Sequence, residues 1–384
     1  MIHWRSAQVT AIRSEWPGVR EVAARLEAPL PAAPASEPGE HDEPGRGGEP
    51  ESVRALAYTD LVGSPEPGDR VLLNVSSLAR RLGTGGFALV VAIPDRLPAD
   101  PPPGPGHLVK DRYSPLQTMV LGVDDQESEH HEALAAAGSL EGMPVLVADL
   151  HSALPAVAAG VLAARPGTRI AYVLTDGAAL PMAFSRAVAG LKEAGWLAGT
   201  VSTGQAHGGD LEAVTVHSGL LAARHVLGAE VAVVAQGPGN LGTGTAWGFS
   251  GVVCGDHLNA AQVLGGRPIG VLRVSGADRR ERHHGISHHS MTALGKVAQS
   301  GVDVPLPDLR DPGLECPPEL AGLVAEQART LAGRHRIVPV ACEGLGAALK
   351  TSPVALRTMG RGLEDDPAAF LAAAAAGRHA ASLL

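Results

Sequence analysis

Residues 143–177 read MPVLVADLHSALPAVAAGVLAARPGTRIAYVLTDG, and their pattern predicts the class of fold. Two short, continuous apolar runs flank an Ala-rich segment that is long enough for a helix. Continuous apolar runs are typical of strands that are buried on both faces of a parallel sheet. The stretch therefore predicts a strand, a right-handed crossover helix and a second, parallel strand.

The same alternation continues over residues 113–384. Its apolar runs are TMVLGV, MPVLVADL, RIAYVLT, WLAGTVS, EVAVVAQ, PIGVLRVS and RIVPVA. The helical segments between them are HHEALAAAGSL, LPAVAAGVLAA, LPMAFSRAVAGLKEAG, DLEAVTVHSGLLAARHVLG, DHLNAAQVLGG and SMTALGKVAQ. Strands that alternate with helices predict an α/β domain with a doubly wound, mostly parallel sheet. The Ala-rich end, residues 367–384, predicts a closing helix.

Residues 1–112 predict a small β-barrel-like N-terminal domain. Strand-like segments such as VRALAYTDL, RVLLNVSSLA and FALVVAIP are separated by turns rich in Pro and Gly, including Gly83-Thr84-Gly85-Gly86. Residues 29–50 consist almost wholly of Pro, Ala, Gly and acidic residues, which predicts a loop or linker. We expect this domain to be structural or to act as a lid, because its turns lack clustered titratable residues.

The amino-acid composition indicates which kinds of ligand the chain can bind and in which compartment it resides. The chain has 31 Lys and Arg against 40 Asp and Glu, a formal net charge of -9, so nucleic acid is not the expected ligand. No apolar run has the length of a membrane span or a signal peptide. The three cysteines lie far apart in sequence, which indicates a reducing compartment. We expect a cytoplasmic protein that binds a small anionic molecule; the sequence is also compatible with a homo-oligomer.

Polar residues follow the predicted strands at their carboxyl ends, where open α/β sheets bind ligands. Asp149 and His151 follow the first run quoted above, and Asp176 follows the second. His207 and Asp210 follow WLAGTVS. If these strand ends meet, the aspartates can act as metal ligands or general base and the histidine can transfer protons. Helix capping is the alternative for each aspartate.

A Gly-rich loop follows the run EVAVVA. It contains the pattern GxGxxG, and such glycines let backbone amides approach a phosphate closely. The dinucleotide interpretation also needs a helix directly after the loop and an acid about twenty residues further on, where only Asp256 is available. An anion cradle, a dinucleotide fingerprint and a structural turn all stay open. The candidate ligand-binding residues of the loop are Gly237, Gly239, Asn240, Gly242, Thr243, Gly244 and Thr245.

Four histidines lie in RRERHHGISHHS, residues 279–290. Imidazole is a common metal ligand, and we expect one or two of the four to reach a site that is assembled from distant segments. Arg279 and Arg282 add positive charge beside them, which suits an anion, with a solvated loop as the alternative. The predicted metal ligands are Asp149, His151, Asp176, His288 and His289, and the predicted catalytic residues are Asp149, Asp176, His207, Asp210 and His289.

Several strings together resemble an uncharacterised bacterial domain-of-unknown-function family, numbered 3866. They are HLVKDRYSPLQ, DLHSALP, TDGAALP, TGQAHGGDLEAVTVHSGL, QGPGNLGTGTAWGFSG and RERHHGISHHSMTAL. The similarity runs from the small β region through at least Leu294. Since the family has no assigned activity, the resemblance implies one shared architecture and no residue roles.

The primary hypothesis is an enzyme whose site lies at the carboxyl edge of the sheet. It acts on a phosphate-bearing or nucleotide-like anion by metal-assisted hydrolysis or group transfer, with a divalent metal ion and a nucleotide as candidate cofactors. The first alternative is an oxidoreductase that binds NAD(P) through the Gly-rich loop. The second alternative is a non-catalytic ligand sensor or scaffold.

Overall fold

The structure, a computed structural model, describes residues 2–31, 51–80, 86–299 and 301–384. Most of the predicted linker and the predicted turn residues Gly83, Thr84 and Gly85 lie outside this described part. The chain divides into two compact units, Met1–Gly104 with Ser114–Thr118, and Pro105–Tyr113 with Met119–Leu384. The sequence predicts a domain boundary after residue 112. In this region Pro105–Tyr113 belongs to the second unit and Ser114–Thr118 to the first, so the chain passes between the units more than once.

The first unit is a closed five-stranded barrel, as the sequence predicts. Its strands follow the order β1-β2-β3-β5-β4, and β4 closes the barrel by pairing antiparallel with β1. Small buried side chains such as Ala7, Ala24 and Ala55 fill its narrow interior together with valines. The elements are β1 (Trp4–Trp16), β2 (Val19–Leu26), β3 (Ser52–Tyr58), α1 (Thr59–Val62), β4 (Arg70–Asn74), α2 (Ser76–Ala79) and β5 (Ala88–Ala92).

The rest of the chain alternates strands and helices. The strands are β6 (Leu108–Lys110), β7 (Thr118–Val120), β8 (Pro144–Ala148), β9 (Ile170–Thr175), β10 (Gly199–Ser202), β11 (Leu211–Glu212), β12 (Val231–Gln236), β13 (Arg267–Gly270), β14 (Val274–Ser275), β15 (Gly285–Ile286), β16 (Asp303–Pro307), β17 (Arg336–Val340), β18 (Arg357–Thr358) and β19 (Arg361–Gly362). The helices are α3 (His131–Ala136), α4 (Leu154–Ala164), α5 (Arg186–Glu193), α6 (Val216–His225), α7 (Cys254–Val263), α8 (His288–Thr292), α9 (Leu320–Arg329), α10 (Leu345–Lys350) and α11 (Pro367–Ala381).

Eight strands form one parallel sheet in the order β11-β10-β9-β12-β8-β13-β16-β17, with helices packed against it. The predicted mixed α/β class is therefore confirmed. Strands β8, β9 and β12 are buried along their whole length, which explains their continuous apolar sequences.

Two strand assignments differ from the sequence prediction. The run TMVLGV forms only β7, which pairs with β6 outside the main sheet, and its Met119 is exposed. Conversely, β16 lies inside the sheet although Pro305 and Pro307 argue against an interior strand. The only residue of β16 that pairs with β13 is Asp303, so its prolines lie where β13 has already ended. The two prolines therefore remove no backbone hydrogen bond between β16 and β13.

Helices α4 and α11 pack against each other through two glycines. A Cβ at Gly160 would overlap the carbonyl oxygen of Ala374, and one at Gly377 would overlap that of Val157. The two backbones are therefore in direct contact, and the Ala-rich sequence of α11 reflects its almost complete burial in the core. Among the helices of the described residues, α11 included, none combines the length and apolar character needed to cross a bilayer.

Candidate functional site

The carboxyl ends of β8 and β13 lie side by side in the sheet. The next sheet strands along the chain, β9 and β16, lie on opposite sides of this pair. A cleft is found just beyond the two strand ends. Its polar lining side chains come from the segment after β8, the segment after β13 and the C-terminal region, and are Asp149, Ser152, Arg273, Ser275, Asp278, Thr358, Arg361 and Asp366.

Three histidine side chains converge, and one of them, His289, lies beside the carboxylate of Asp149. One ring nitrogen from each of His283, His288 and His289 lies within 4.8 Å of the other two. His283 is 4% exposed and His289 is 8% exposed. The Nε2 atom of His288 is buried and has no hydrogen-bond partner within the part of the chain that the structure describes. The group, here called the histidine cluster, thus has the ligand type and spacing to hold one metal ion.

A tight chain reversal brings the histidine cluster together. Strand β15 pairs antiparallel with β14, and Gly285 adopts φ = 72°, a conformation that favours glycine. Ser287 then caps α8: its Oγ accepts a hydrogen bond from the backbone N–H of His289 at 3.2 Å and lies 2.8 Å from Nδ1 of His283. The contact at Nδ1 leaves Nε2 of His283 available to the cluster.

Asp149 and Arg273 both lie close to the Nδ1 atom of His289. The Nδ1 atom of His289 is 3.2 Å from Nη1 of Arg273 and 3.4 Å from Oδ2 of Asp149, and Phe249 stacks on the same ring at 3.9 Å between centroids. Burial raises the pKa of Asp149, but the hydrogen bond to His289 and the charge of Arg273 outweigh it, so the net pKa is lowered. Asp149 is therefore anionic at neutral pH.

The other two imidazoles are neutral at neutral pH. Burial, followed by the charges of Arg273 and Arg280, lowers the pKa of His283 to about 3. Burial and the neighbouring His289 lower the pKa of His288 in the same direction. A metal ion binds only the neutral imidazole, so these rings need not release a proton before they bind one.

The far wall of the cleft is a network of charged side chains. Asp366 is 1% exposed and accepts hydrogen bonds from Ser275 Oγ at 2.6 Å, from the Gly276 amide at 3.0 Å and from Arg361 Nε at 3.1 Å. Asp278 pairs with both Nε and Nη2 of Arg280, and these contacts lower its pKa. Hydrogen bonds thus hold both carboxylates in fixed positions. Arg273 and Arg361 line the same cleft.

The remaining predicted acidic and histidine residues have other partners. Asp176 is exposed and accepts the backbone N–H of Gln205 at 2.9 Å. Asp210 accepts hydrogen bonds from the amide and the hydroxyl of Thr200 at 2.9 Å and pairs with Lys192. The main chain of His207 bonds to Leu180 and Met182. Among the described residues, the groups with metal-ligand spacing include none of these three, nor His151.

His151 lies in the protein interior. Its Nε2 is 2.8 Å from Ser185 Oγ, and its ring meets the edge of Tyr172. Burial lowers its pKa to about 4. An unfolded histidine takes up a proton near pH 6.5, whereas the folded chain keeps this ring neutral. The contribution of His151 to stability is therefore complete above about pH 6.5 and is lost as the pH falls towards 4.

We expect this effect to be measurable in urea unfolding. Between pH 7 and pH 5, the wild-type chain should lose about 2 kcal/mol of unfolding free energy that His151→Gln does not lose. Replacement of the exposed His217 by Gln serves as the control and should leave the pH dependence of the wild type unchanged. Equal losses in wild type and His151→Gln would show that the ring is already protonated in the folded chain.

The Gly-rich loop folds back on itself. The amide of Thr243 donates to the carbonyl of Gly248 at 2.7 Å, the Gly248 amide donates to Thr245 Oγ1 at 3.0 Å, and the Leu241 amide donates to Ser250 Oγ at 3.1 Å. Three backbone donors of the loop are thus already bonded within it. Helix α7 begins only at Cys254, so the loop does not open directly into a helix as a dinucleotide fingerprint does.

A known protein family matches most of the chain. Residues 54–377 match the family described as Protein of unknown function (DUF3866). The chain belongs to this family. No curated protein and no solved structure matches the chain. The DUF3866 match confirms the resemblance seen in the sequence and extends beyond it, over the whole of the cleft. The family has no assigned activity.

The sequence prediction missed the cleft arginines and the third histidine. Arg273 lies in the run PIGVLRVS, which the sequence predicts to be a strand, whereas β13 ends at Gly270. Placing the strand end earlier would have put Arg273 among the polar residues beyond it. The sequence signal for His283 is Gly285. The chain reverses direction at this glycine, which brings His283 close to the start of α8. Arg279 and Arg282, which were predicted, lie exposed on this segment.

Proposed function

We propose that this protein is a metal-dependent enzyme that hydrolyses, or transfers a group from, a small anionic substrate. The observation that carries the proposal is the convergence of His283, His288 and His289 beside a cleft at the carboxyl ends of two strands. Catalytic zinc sites use three protein ligands and leave a fourth position for water or substrate. Three imidazoles match that donor set and suit Zn²⁺ or a similar first-row ion.

The topology supports this location for the site. We infer a doubly wound sheet in which the chain leaves β8 in one direction and β13 in the other. At such a point the connections diverge and open a crevice outside the strand ends, where ligands of open α/β proteins bind. The cleft and the histidine cluster lie at the ends of these two strands.

Two guanidinium groups in the cleft support an anionic substrate, although the same lining also holds the carboxylates of Asp149, Asp278 and Asp366. Arg273 and Arg361 contribute guanidinium groups that are mostly shielded from solvent, where salt screens them weakly. A guanidinium group can donate two parallel hydrogen bonds to a phosphate or carboxylate. We propose that these arginines hold the anionic group of the substrate while the bond to be broken lies near the histidine cluster.

Each side chain then has a defined task. When Nε2 of His289 is the ligand, Nδ1 carries the ring proton, and its N–H donates a hydrogen bond to Asp149 that orients the ring; Arg273 Nη1 then lies beside Nδ1 without a hydrogen bond to it. Arg273 keeps Asp149 ionised, and Phe249 covers one face of the imidazole. A divalent ion held there would act as a Lewis acid and lower the pKa of a bound water.

The proposal places the protein in a reducing compartment, the cytoplasm. Cys254, Cys316 and Cys342 are all free thiols. None of the contacts of the Gly-rich loop favours the nicotinamide alternative. A ligand sensor would use the same metal site as the enzyme but would show no turnover. The test below therefore distinguishes the two alternatives.

The test combines metal removal with a substrate panel. Chelated protein is assayed for hydrolysis of phosphate monoesters, diesters and nucleotides before and after Zn²⁺ or Mn²⁺ is restored. We expect turnover only with metal. Asp149→Asn should weaken metal binding about 10- to 100-fold and lower turnover at limiting metal, because its carboxylate orients a ligand from outside the coordination shell.

Asp303→Asn is the matched control. Asp303 is also a buried carboxylate that contacts a histidine, His379, at 2.8 Å, but it lies at the amino end of β16. Its replacement should change stability and leave metal affinity unchanged. Stoichiometric metal binding without turnover on any substrate would replace the enzyme by the sensor. Equal metal affinity in the wild type and Asp149→Asn would remove the proposed role of Asp149.

A further inference from the structure

We infer that a second divalent cation binds at His107, Asp125 and Glu127. One ligand atom from each of these side chains lies within 4.8 Å of the other two. The group shares no residue with the histidine cluster, so the inference is independent of the proposed function. None of the three residues is among the site residues that the sequence predicts.

The local backbone holds the three side chains together. His107 directly precedes β6, and Asp125 and Glu127 lie in the turns between β7 and α3. Gly106 has φ = 99°, and a Cβ there would lie 2.5 Å from the Cα of Leu121. Only glycine permits this approach, which brings His107 to 3.2 Å from Oδ2 of Asp125. The Gly106 amide also donates to Oε2 of Glu127 at 2.9 Å.

Asp125 supplies a second, independent indication of a ligand. Its side chain is only 5% exposed, yet its Oδ1 atom has no hydrogen-bond partner in the described residues. A buried carboxylate oxygen without a partner is unfavourable, since it has lost its hydration. A cation bound between Asp125 and its two neighbours would compensate for that loss.

The donor set determines the class of ion. One imidazole nitrogen and two carboxylate oxygens suit Zn²⁺ or Mn²⁺ better than Ca²⁺, which takes six to eight oxygen ligands. His107 is 77% exposed, so water can complete the coordination shell from the solvent side. A bound ion would tie the segment around Gly106 to the turn around Asp125 and stabilise the folded chain.

The experiment is a calorimetric titration of the chelated full-length chain with Zn²⁺, repeated with Mn²⁺. We expect two ions per wild-type chain with at least one of the two metals. Asp125→Asn should lose one ion and keep the other, whereas His288→Ala should lose the other and keep this one. The double variant should bind neither ion with comparable affinity.

Asp124→Asn is the control, because Asp124 is the adjacent carboxylate and is not part of the group. It should bind both ions as the wild type does. If Asp125→Asn fails to fold, His107→Ala, which changes an exposed side chain, replaces it. Wild-type stoichiometry in both Asp125→Asn and His107→Ala would overturn the inference. A single ion in the wild type that His288→Ala removes would also overturn it, while the proposed function would stand.

Discussion

Replacing His288 by Ala should abolish tight metal binding at the histidine cluster, with an affinity for Zn²⁺ at least about 100-fold lower. The substitution removes one of three converging nitrogens, and the two that remain offer a much weaker chelate. Turnover should fall with it, since we propose that the reaction depends on the ion. The thermal midpoint of the metal-free chain should stay within a few degrees, because His288 is only half-buried.

His284→Ala is the matched control for this prediction. His284 lies in the same segment but does not belong to the cluster. Zn²⁺ titration and turnover are measured on both variants and on the wild type. A His288→Ala chain that retains wild-type metal affinity at the cluster would exclude His288 as a ligand.

Replacing Gly160 by Val should destabilise the α/β unit by about 3 kcal/mol or more. The new side chain would overlap the backbone of α11 at Ala374, so the two helices must separate to admit it. For a unit of this size, such a loss corresponds to a decrease of roughly 6–12 °C in the thermal midpoint. Thermal and urea unfolding of the full chain measure the effect.

Gly322→Ala provides the opposite expectation in the same experiment. Gly322 lies in α9, where a Cβ would meet nothing within 4 Å, so alanine should stabilise the helix by about 0.4–1 kcal/mol. If Gly160→Val unfolds as the wild type does, the close contact between α4 and α11 does not exist. The pair of variants thus distinguishes a packing effect from a general effect of replacing glycine in a helix.

The local unit from which the fold prediction began matches the structure closely. Helix α4 has the same bounds as the predicted segment LPAVAAGVLAA, because Pro155 starts it and Pro166 follows its end. Prediction was poorer where distant contacts decide the conformation. The segment predicted as a helix over residues 210–228 begins as strand β11, where a carboxylate oxygen of Glu212 lies 3.3 Å from Nζ of the buried Lys110. No local pattern encodes that distant partner.

The candidate site shows the same division. The sequence predicts Asp149, His288 and His289 as site residues, because polar residues at strand ends and clustered histidines are visible in it. The same rule predicts His151, but its side chain contacts Ser185 in the interior. The contact of Asp366 with Ser275 joins residues 91 positions apart, and sequence spacing carries no information about it. Tertiary packing therefore determines which strand-end residues line the cleft.

The most direct test of the central claim is an anomalous diffraction map of a Zn²⁺-loaded crystal, recorded at the zinc edge. We expect a peak between His283, His288 and His289, with ligand nitrogens at about 2.0–2.1 Å. The Nδ1 side of His289 should face Asp149. A fully loaded crystal with no peak among these three rings would contradict the account and with it the proposed metal-dependent reaction.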